Sequence, residues 1–336
     1  MNAEPMIAAT VTTGLLDCIV AAGGDPDQIL RKAGVQRSLL AKRDGFIATL
    51  AFARILTEAG RATGDECFGL HFGEQFDPTD AGALFYVVLN SPTMLAAFEN
   101  WVRYEHIHNR GATFRFRIEG DLGYLRYVLG DFGIDSRRQQ NEFSMAAGIK
   151  SLRIIVGPHW TPHSIEFAHE APAEISEHAR VFGCGIKFGC LWNALIFKKE
   201  DLDRSLPVAD AKLYGILKQH VERVLSELPQ ETDLLASVSR AIVECLADGP
   251  PNLERVASRF AVSPRSLERR LNERGVSFKE LVSEMRKRLA LEYLTSDRHT
   301  LTDIAFLLGY SEVSAFNRAF KRWTGSSPLR YRLGAS

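Results

Sequence analysis

The sequence of 336 residues predicts an α+β domain followed by an all-α domain with two helix–turn–helix units joined by a long helix. Three observations predict this arrangement. The chain exceeds the roughly 250–300 residues that a single core usually serves. A strand pattern of period two is confined to the first part of the chain, and a helical pattern near residue 252 recurs near residue 300. We expect domains at residues 1–207 and 233–333, with a linker helix and a break at 208–232.

Helical patterns open the first domain. Apolar spacing over residues 1–75 is typical of helices. The dipeptide Ser91-Pro92 predicts another helix, with serine as the N-cap and proline at the first helical position. A further helix is predicted over residues 136–155, and one at 209–228 is expected to join the two halves of the chain.

Strands are predicted between and after these helices. Phe114, Phe116 and Ile118 alternate with arginines, as the residues of a half-buried strand do. The following EGDLG turn predicts a hairpin with a second strand at 124–129. Three more strands are expected within the stretches SIEFAHE, IKFG and NALIFKK. The first domain is therefore α+β.

The second domain contains one helix–turn–helix pattern twice. The segment NLERVASRFAVSPRSLERRLNERG (252–275) parallels TLTDIAFLLGYSEVSAFNRAFKRWTG (300–325). Ala257 and Ser263 each lie 48 residues before their counterparts, Ala305 and Ser311. Such a pattern predicts a short first helix that packs on its neighbours and a second helix that presents a polar face.

The second helix of each unit has an apolar side and a polar side. In the first unit Leu267 and Leu271 are expected to face inward, and in the second Phe316 and Phe320. Arginine can pair with guanine and asparagine with adenine in the DNA major groove. The residues predicted to face bases are Arg265, Glu268, Arg269, Val313, Ser314, Asn317 and Arg318. Glu268 cannot donate to guanine, so it either accepts from cytosine N4 or stays clear of the groove, and Val313 offers only apolar contact, for example to a thymine methyl.

A long helix is predicted between the two units. Ser277 and Glu280 have capping-box spacing, and the pattern continues to about Thr295. Such a helix spans about 28 Å, close to the roughly 34 Å repeat of DNA, and could hold two recognition helices in successive major grooves. Basic residues on it and around the second unit are candidates for phosphate contacts: Arg286, Lys287, Arg288, Lys321, Arg322, Arg330 and Arg332.

Charge and composition agree with this division. The formal net charge is zero, but residues 233–336 carry 17 Lys and Arg against 12 Asp and Glu, and the preceding residues carry 24 against 29. A basic half suggests a polyanionic partner. The sequence has neither an apolar run of membrane-spanning length nor a signal segment, which predicts a cytoplasmic protein. Five scattered cysteines predict free thiols in a reducing compartment.

The motifs of the second domain resemble the C-terminal domain of the AraC/XylS family of bacterial transcription regulators. The resemblance covers residues 233–333. It is carried by ASRFAVSPRSLERRL from Ala257, RKRLALEYL from Arg286, IAFLLGYSEVSAFNRAFK from Ile304 and GSSPLRYR from Gly325. It implies sequence-specific binding to double-stranded DNA, more often activation than repression, and RNA polymerase as a partner.

The first domain is similar to the arabinose-binding-type N-terminal domain of one branch of that family. The similar segments include DECFGLHFGEQF, SPTMLAAFENWVRYEHIHN and FGCGIKFGCLWNALIFKKEDLDRSLPVAD. The resemblance implies a domain that senses a small-molecule effector, forms a homodimer, or does both. Candidates for lining an effector pocket are Tyr86, Trp101, Tyr104, His106, Phe143 and Lys150.

Other functions are weighed against this hypothesis. No nucleophile elbow, phosphate-binding loop or convincing metal-ligand set occurs, so neither an enzyme nor a cofactor is predicted. His106 with His108, and His159 with His163, lack a completing Cys or carboxylate. Three alternatives remain open: a helical bundle with solvated arginines, an enzymatic first domain on a DNA-targeting module, and a protein-interaction module that no longer contacts bases.

Overall fold

The computed structural model describes residues 5–40, 42, 45–110, 112–129, 137–190, 192–227, 234–246, 249–260, 262–295 and 299–333. The chain divides into two compact units at residues 228 and 229, and each unit has its own hydrophobic core. In the described ranges no helix is both long enough and apolar enough to cross a membrane.

The N-terminal unit contains ten α-helices within the described residues, and its helical start is as predicted. The helices are α1 (Leu15–Ala21), α2 (Pro26–Ala33), α3 (Arg37–Leu40), α4 (Thr49–Thr63), α5 (Phe68–Gln75), α6 (Ala83–Leu89), α7 (Met94–Tyr104), α8 (Arg138–Val156), α9 (Ser176–Phe182) and α10 (Ala211–Glu227). Short 3₁₀ helices occur at Ala9–Thr12, Pro78–Ala81, Glu105–Ile107 and Lys199–Asp203.

The strands form a two-stranded and a five-stranded sheet. The strands are β1 (Met6–Ala8), β2 (Phe46–Ala48), β3 (Ala112–Glu119), β4 (Leu122–Leu129), β5 (Ser164–Glu166), β6 (Gly185–Lys187) and β7 (Asn193–Lys198). β1 pairs with β2, and the larger sheet has the order β3-β4-β7-β5-β6, with only β5 and β6 parallel. The predicted hairpin is confirmed, with Glu119 opposite Leu122.

Helices α5 and α8 approach each other unusually closely. A Cβ atom at Gly69 or Gly73 would overlap the backbone of α8. The Gln139 side chain accepts from the Gly69 amide and donates to the Glu66 carbonyl, both at 2.6 Å. Only glycine permits this contact, which brings the aromatic residues of α5 against Phe143 of α8.

The predicted capping of the helix after residue 90 is wrong. Thr93, not Ser91, is the N-cap of α7, and its hydroxyl accepts from the Ala96 amide at 3.2 Å. The buried Ser91 hydroxyl instead donates to the Val87 carbonyl and accepts from Asn100, both at 2.9 Å. Ser91 therefore closes α6 rather than opening α7.

Helix α10 belongs to the N-terminal unit, which moves the boundary expected at residue 207 to residue 228. The Tyr104 hydroxyl donates to Glu222 at 2.6 Å, and Asn100 donates to the Tyr214 hydroxyl at 2.9 Å. Val221 is fully buried in the core of that unit. The helix that we expected to link the halves is thus packed into the first of them.

The regular secondary structure of the C-terminal unit consists of helices alone in its described residues, as predicted. Its helices are α11 (Leu234–Leu246), α12 (Leu253–Arg259), α13 (Pro264–Asn272), α14 (Phe278–Thr295), α15 (Leu301–Leu307), α16 (Val313–Thr324) and α17 (Pro328–Arg332). It has two small cores, one around α12–α13 and one around α15–α16.

Helix α14 connects the two cores. It contributes Met285 to the first and Leu294 to the second, and its 18 residues span about 27 Å. The capping box predicted at its start is present, since the Ser277 amide donates to Glu280 at 2.7 Å and the Glu280 amide to the Ser277 hydroxyl at 3.2 Å. One continuous helix therefore fixes the spacing of the two helix–turn–helix units.

Candidate nucleic-acid interface and ligand cavity

Helix α13 has the polar face that its sequence predicts. The Ser263 hydroxyl caps it by accepting from the Ser266 amide at 3.2 Å, and Pro264 is its first residue. Leu267 and Leu271 are fully buried. On the other side Arg265, Glu268 and Arg269 are exposed. Arg269 lies 3.8 Å from Glu273, but both side chains are mostly exposed, so this pair leaves the guanidinium accessible to a partner.

Helix α16 repeats this design with larger apolar residues. Phe316 and Phe320 are fully buried, whereas Ser314 and Arg318 are exposed. Glu312, which the sequence interpretation missed, precedes the helix, and its carboxylate accepts from the Ser314 hydroxyl at 2.7 Å. This carboxylate places a negative charge at the end of the helix where base contacts are expected.

The expected outward position of two α16 residues needs correction. Val313 is half-buried and packs against the second core, so it is less exposed than Ser314 and Arg318. Asn317 is also half-buried, and its Oδ1 is buried without a hydrogen-bond partner in the described part of the chain. The base-contacting roles of the remaining residues stay predictions.

The turn of the second unit depends on Gly309 and on an arginine from α14. Gly309 has φ of +69°, a conformation that suits glycine, and an added Cβ would lie 3.2 Å from the carbonyl of Gly249. Arg286 donates from Nε to the Leu308 carbonyl at 2.7 Å and from Nη2 to the Gly309 carbonyl at 3.1 Å. Its guanidinium also lies 4.3 Å from the centre of the Tyr310 ring.

Arg286 therefore has a structural role in this turn, and its contact with phosphate stays a prediction. Burial lowers the pKa of its guanidinium from the usual value. Its two backbone acceptors are the carbonyls of Leu308, the C-cap of α15, and of Gly309 in the turn that follows. Arg332 is similarly engaged, because its Nη2 donates to the His299 carbonyl at 2.7 Å.

The other phosphate candidates differ in accessibility. Lys321, Arg322 and Arg330 are exposed, and Lys287 and Arg288 are half-buried on α14. Lys321 and Arg322 lie in the last turns of α16, where they also complement the negative end of the helix dipole. Phosphate contact by these residues stays a prediction, which salt dependence can test.

Substitution Lys321→Ala is expected to weaken DNA binding by a similar factor on every sequence and to reduce the salt slope of log K by about 0.9. The reason is that one phosphate fewer would be neutralised and one counterion fewer released. Equilibrium binding at several salt concentrations measures the slope. Lys212→Ala, an exposed lysine on α10, is the matched control, and an unchanged slope for Lys321→Ala would exclude the contact.

The N-terminal unit encloses a cavity of about 130 Å³. It lies among α6, α7, α8 and the hairpin, and its wall includes Val11, Phe76, Leu84, Phe98, Leu125 and Leu195. Polar groups are gathered where α7 ends, at Glu105, His108 and Asn109. A Glu105 carboxylate oxygen accepts from the Phe114 amide at 3.1 Å. An apolar wall with a few convergent polar groups is the usual form of a small-molecule site.

Two of the six residues expected in a pocket line this cavity. They are Trp101, which packs edge-on against Phe114, and Phe143, which contacts three other phenylalanines. The other four do not line it. Tyr86 is 39% exposed, and the Tyr104 hydroxyl donates to Glu222 instead.

The last two of these four are also engaged elsewhere. The Lys150 ammonium donates to the Gln75 carbonyl at 3.0 Å, and His106 has Nδ1 3.9 Å from Glu105 on a side chain that is 40% exposed. Aromatic and basic residue types alone could not show which side of α6, α7 or α8 faces the cavity. Tyr86, Tyr104, His106 and Lys150 are therefore outside the wall of this cavity, and a role for them in binding an effector stays a prediction.

One cavity residue, Gly148, could have been found from the sequence. Gly148 lies in the middle of α8, where glycine destabilises a helix, and its position on the cavity wall explains why it is tolerated. His108, which the sequence analysis considers only as a metal ligand, also lines the cavity. The described residues contain no group of three or more His, Cys, Asp or Glu side chains placed to hold a metal ion.

Two recognition-like helices on one helical unit, together with a separate unit that encloses a cavity, define the class of ligand-responsive DNA-binding regulators. Comparison with known proteins identifies the family. The model described as the arabinose-binding domain of AraC transcription regulators, N-terminal, matches residues 23–206, and a helix-turn-helix domain model matches residues 256–334. The chain belongs to the AraC/XylS family and is a DNA-binding transcription regulator.

Two curated relatives align with nearly the whole chain. The chain is 29% identical to the ornithine utilization regulator of Pseudomonas aeruginosa, over 97% of this chain and 96% of that protein. It is 27% identical to the transcriptional regulator VirS of Mycobacterium tuberculosis, over 99% and 98%. Among solved structures, the transcriptional regulator CdpR of P. aeruginosa is 20% identical, with a TM-score of 0.40 over 79% of this chain and 86% of that one.

Proposed function

We propose that this regulator is a cytoplasmic, effector-controlled activator that acts by binding and not by catalysis. The observation that carries the proposal is the pair of exposed polar faces on α13 and α16, which one helix holds at a fixed separation. Each helix has an apolar back fixed in a small core and an exposed arginine on its front. Such helices enter adjacent major grooves, and Arg269 and Arg318 are the leading candidates for base contacts.

A small molecule in the cavity of the N-terminal unit controls DNA binding in this proposal. A ligand shifts a conformational equilibrium only if it binds one state better than the other. The wall of the cavity includes residues of α6, α7 and α8, and α10 is fastened to α7 by hydrogen bonds from Tyr104 and Asn100. Ligand binding would therefore act on α10, the last described helix before the C-terminal unit, and α10 is the element we assign to coupling.

An activator of transcription needs protein partners in addition to DNA. RNA polymerase is the partner that an activator recruits, and a second copy of the chain would double the number of recognition helices on DNA. The oligomeric state can be measured by sedimentation of the full-length protein with and without DNA.

The test is recovery of bound fragments from the source genome by the full-length protein at about 150 mM salt, which suppresses nonspecific binding. A recovered fragment is then placed before a reporter gene, and transcription is compared with and without the regulator. Increased transcription supports activation. Decreased transcription would contradict activation but not DNA binding, whereas no enrichment of any sequence would contradict base-specific recognition by the free protein.

A further inference from the structure

The cavity of the N-terminal unit has a wall that is almost entirely hydrocarbon. Its residues are chiefly Phe, Leu, Ile, Val, Ala, Met and Trp side chains. The hydroxyls of its lining residues are those of Tyr127, Ser144 and Ser151, and two of the three hydroxyl hydrogens are donated within the protein, since Ser144 donates to the Tyr127 hydroxyl at 3.2 Å and Ser151 to the Ala147 carbonyl at 2.7 Å. A pentose carries a hydroxyl on nearly every carbon, and each buried hydroxyl without a partner weakens binding.

The volume of the cavity indicates a molecule about the size of a single ring. A dry apolar cavity of roughly 150 Å³ in another protein accepts benzene. The present cavity, at about 130 Å³, is of similar size. Its rings are held by packing, because Phe143 contacts Phe52, Phe72 and Phe76 with ring centres 5.1–5.5 Å apart. The walls are therefore formed before a ligand arrives.

Gly148 contributes open space to the wall of the cavity. It lies in the interior of α8 and on the cavity wall, and an added Cβ would meet no atom within 4 Å. Alanine would fit there without strain and would stabilise the helix. A glycine at this position therefore lowers helix stability while it leaves room in the cavity.

One end of the cavity offers hydrogen bonds. The His108 imidazole forms no hydrogen bond within the described ranges of the chain, and Glu105 and Asn109 lie beside it in the wall. Burial lowers the pKa of His108 to about 4, so the ring is neutral at pH 7 and has one N–H donor and one nitrogen acceptor. A single polar group on a ligand can be satisfied at this end.

We propose that the cavity binds a small, mainly hydrophobic molecule of about one ring, with one hydrogen-bonding group directed to His108, and that it does not bind a sugar. This inference rests on the proposed function only for its regulatory consequence. The site, the ligand class and their test concern the N-terminal unit alone and require no DNA.

The test is direct titration of the full-length protein with toluene, benzyl alcohol and L-arabinose by calorimetry. Toluene and benzyl alcohol are expected to bind saturably, and L-arabinose is not. Gly148→Leu fills the cavity and is expected to weaken toluene binding at least tenfold. Gly215→Leu is the matched control, because Gly215 is also a helical glycine whose added Cβ meets nothing within 4 Å, but it lies outside the cavity wall.

A second variant tests the polar end of the cavity at His108. His108→Leu is expected to weaken benzyl alcohol relative to toluene by roughly two- to tenfold, the effect of one hydrogen bond. Binding of L-arabinose in preference to toluene, equal binding by Gly148→Leu and wild type, or no saturable binding of either aromatic probe would overturn the inference. If toluene binds without changing DNA affinity, the ligand class stands and the proposed regulation by this cavity is contradicted.

Discussion

Arg269→Ala is expected to weaken specific DNA binding by about 5- to 150-fold and to relax sequence preference in one block of the operator only. This is the range for loss of one bidentate contact to a base. Arg269 lies on α13 opposite the buried Leu267 and Leu271, so it is the side chain that a major groove would meet. Arg318→Ala on α16 is expected to have an effect of the same size in the other block.

Equilibrium binding and repeated selection of bound sequences measure both effects. Each variant serves as a control for the other, because each should leave one block intact. Arg270→Ala is the control within α13: this arginine is exposed but lies beside the buried face of the helix. Wild-type specificity in both Arg269→Ala and Arg318→Ala would show that the assigned faces are wrong. Uniform weak binding by the wild type, with a shallow salt slope, would favour the protein-interaction alternative.

Arg286→Ala is expected to destabilise the C-terminal unit by about 3 kcal/mol and to lower its melting temperature by roughly 10–20 °C. The substitution removes two charged hydrogen bonds to the carbonyls of Leu308 and Gly309 and uncovers the Tyr310 ring. The carbonyls at the end of α15 would lose the partner that holds the turn of the second unit. DNA binding would fall because the position of α16 depends on that turn.

Two variants distinguish hydrogen bonding by Arg286 from the effect of its positive charge alone. Arg286→Lys retains the charge but cannot supply the planar fork, so most of the loss of stability is expected to remain. Lys287→Ala removes the neighbouring charge and is expected to leave the melting temperature almost unchanged. Thermal unfolding of the full-length proteins, followed by circular dichroism, measures the shifts. If Arg286→Ala weakened DNA binding with no change in melting temperature, the phosphate role would be supported and the structural role contradicted.

The architecture was largely predictable because it depends on local patterns. The repeat of Ala257 and Ser263 at an interval of 48 residues located both helix–turn–helix units. Capping chemistry at Ser263 and Ser277 located two helix starts, and both are present in the structure. Such signals depend on neighbours within one helical turn, and a sequence shows these directly.

The features that the sequence does not show depend on contacts between distant residues. Arg286 is a basic residue of α14 like Lys287 and Arg288. Only its hydrogen bonds to the carbonyls of Leu308 and Gly309, after α15, show its structural role. Ser91 has a favourable local pattern for an N-cap, but its hydroxyl donates to the Val87 carbonyl and accepts from Asn100. The sequence also does not show which side of a helix faces a cavity. The side of α8 that carries Gly148 faces it, whereas Lys150 donates to the Gln75 carbonyl instead.

The most direct measurement of the central claim is the spacing of base preferences in sequences that the full-length protein selects from random DNA at about 150 mM salt. Two blocks with centres about 10–10.5 base pairs apart are the predicted result, since α14 holds α13 and α16 for successive major grooves. A single block, or two blocks with no fixed separation, would contradict the claim that both helices contact bases on one face of DNA.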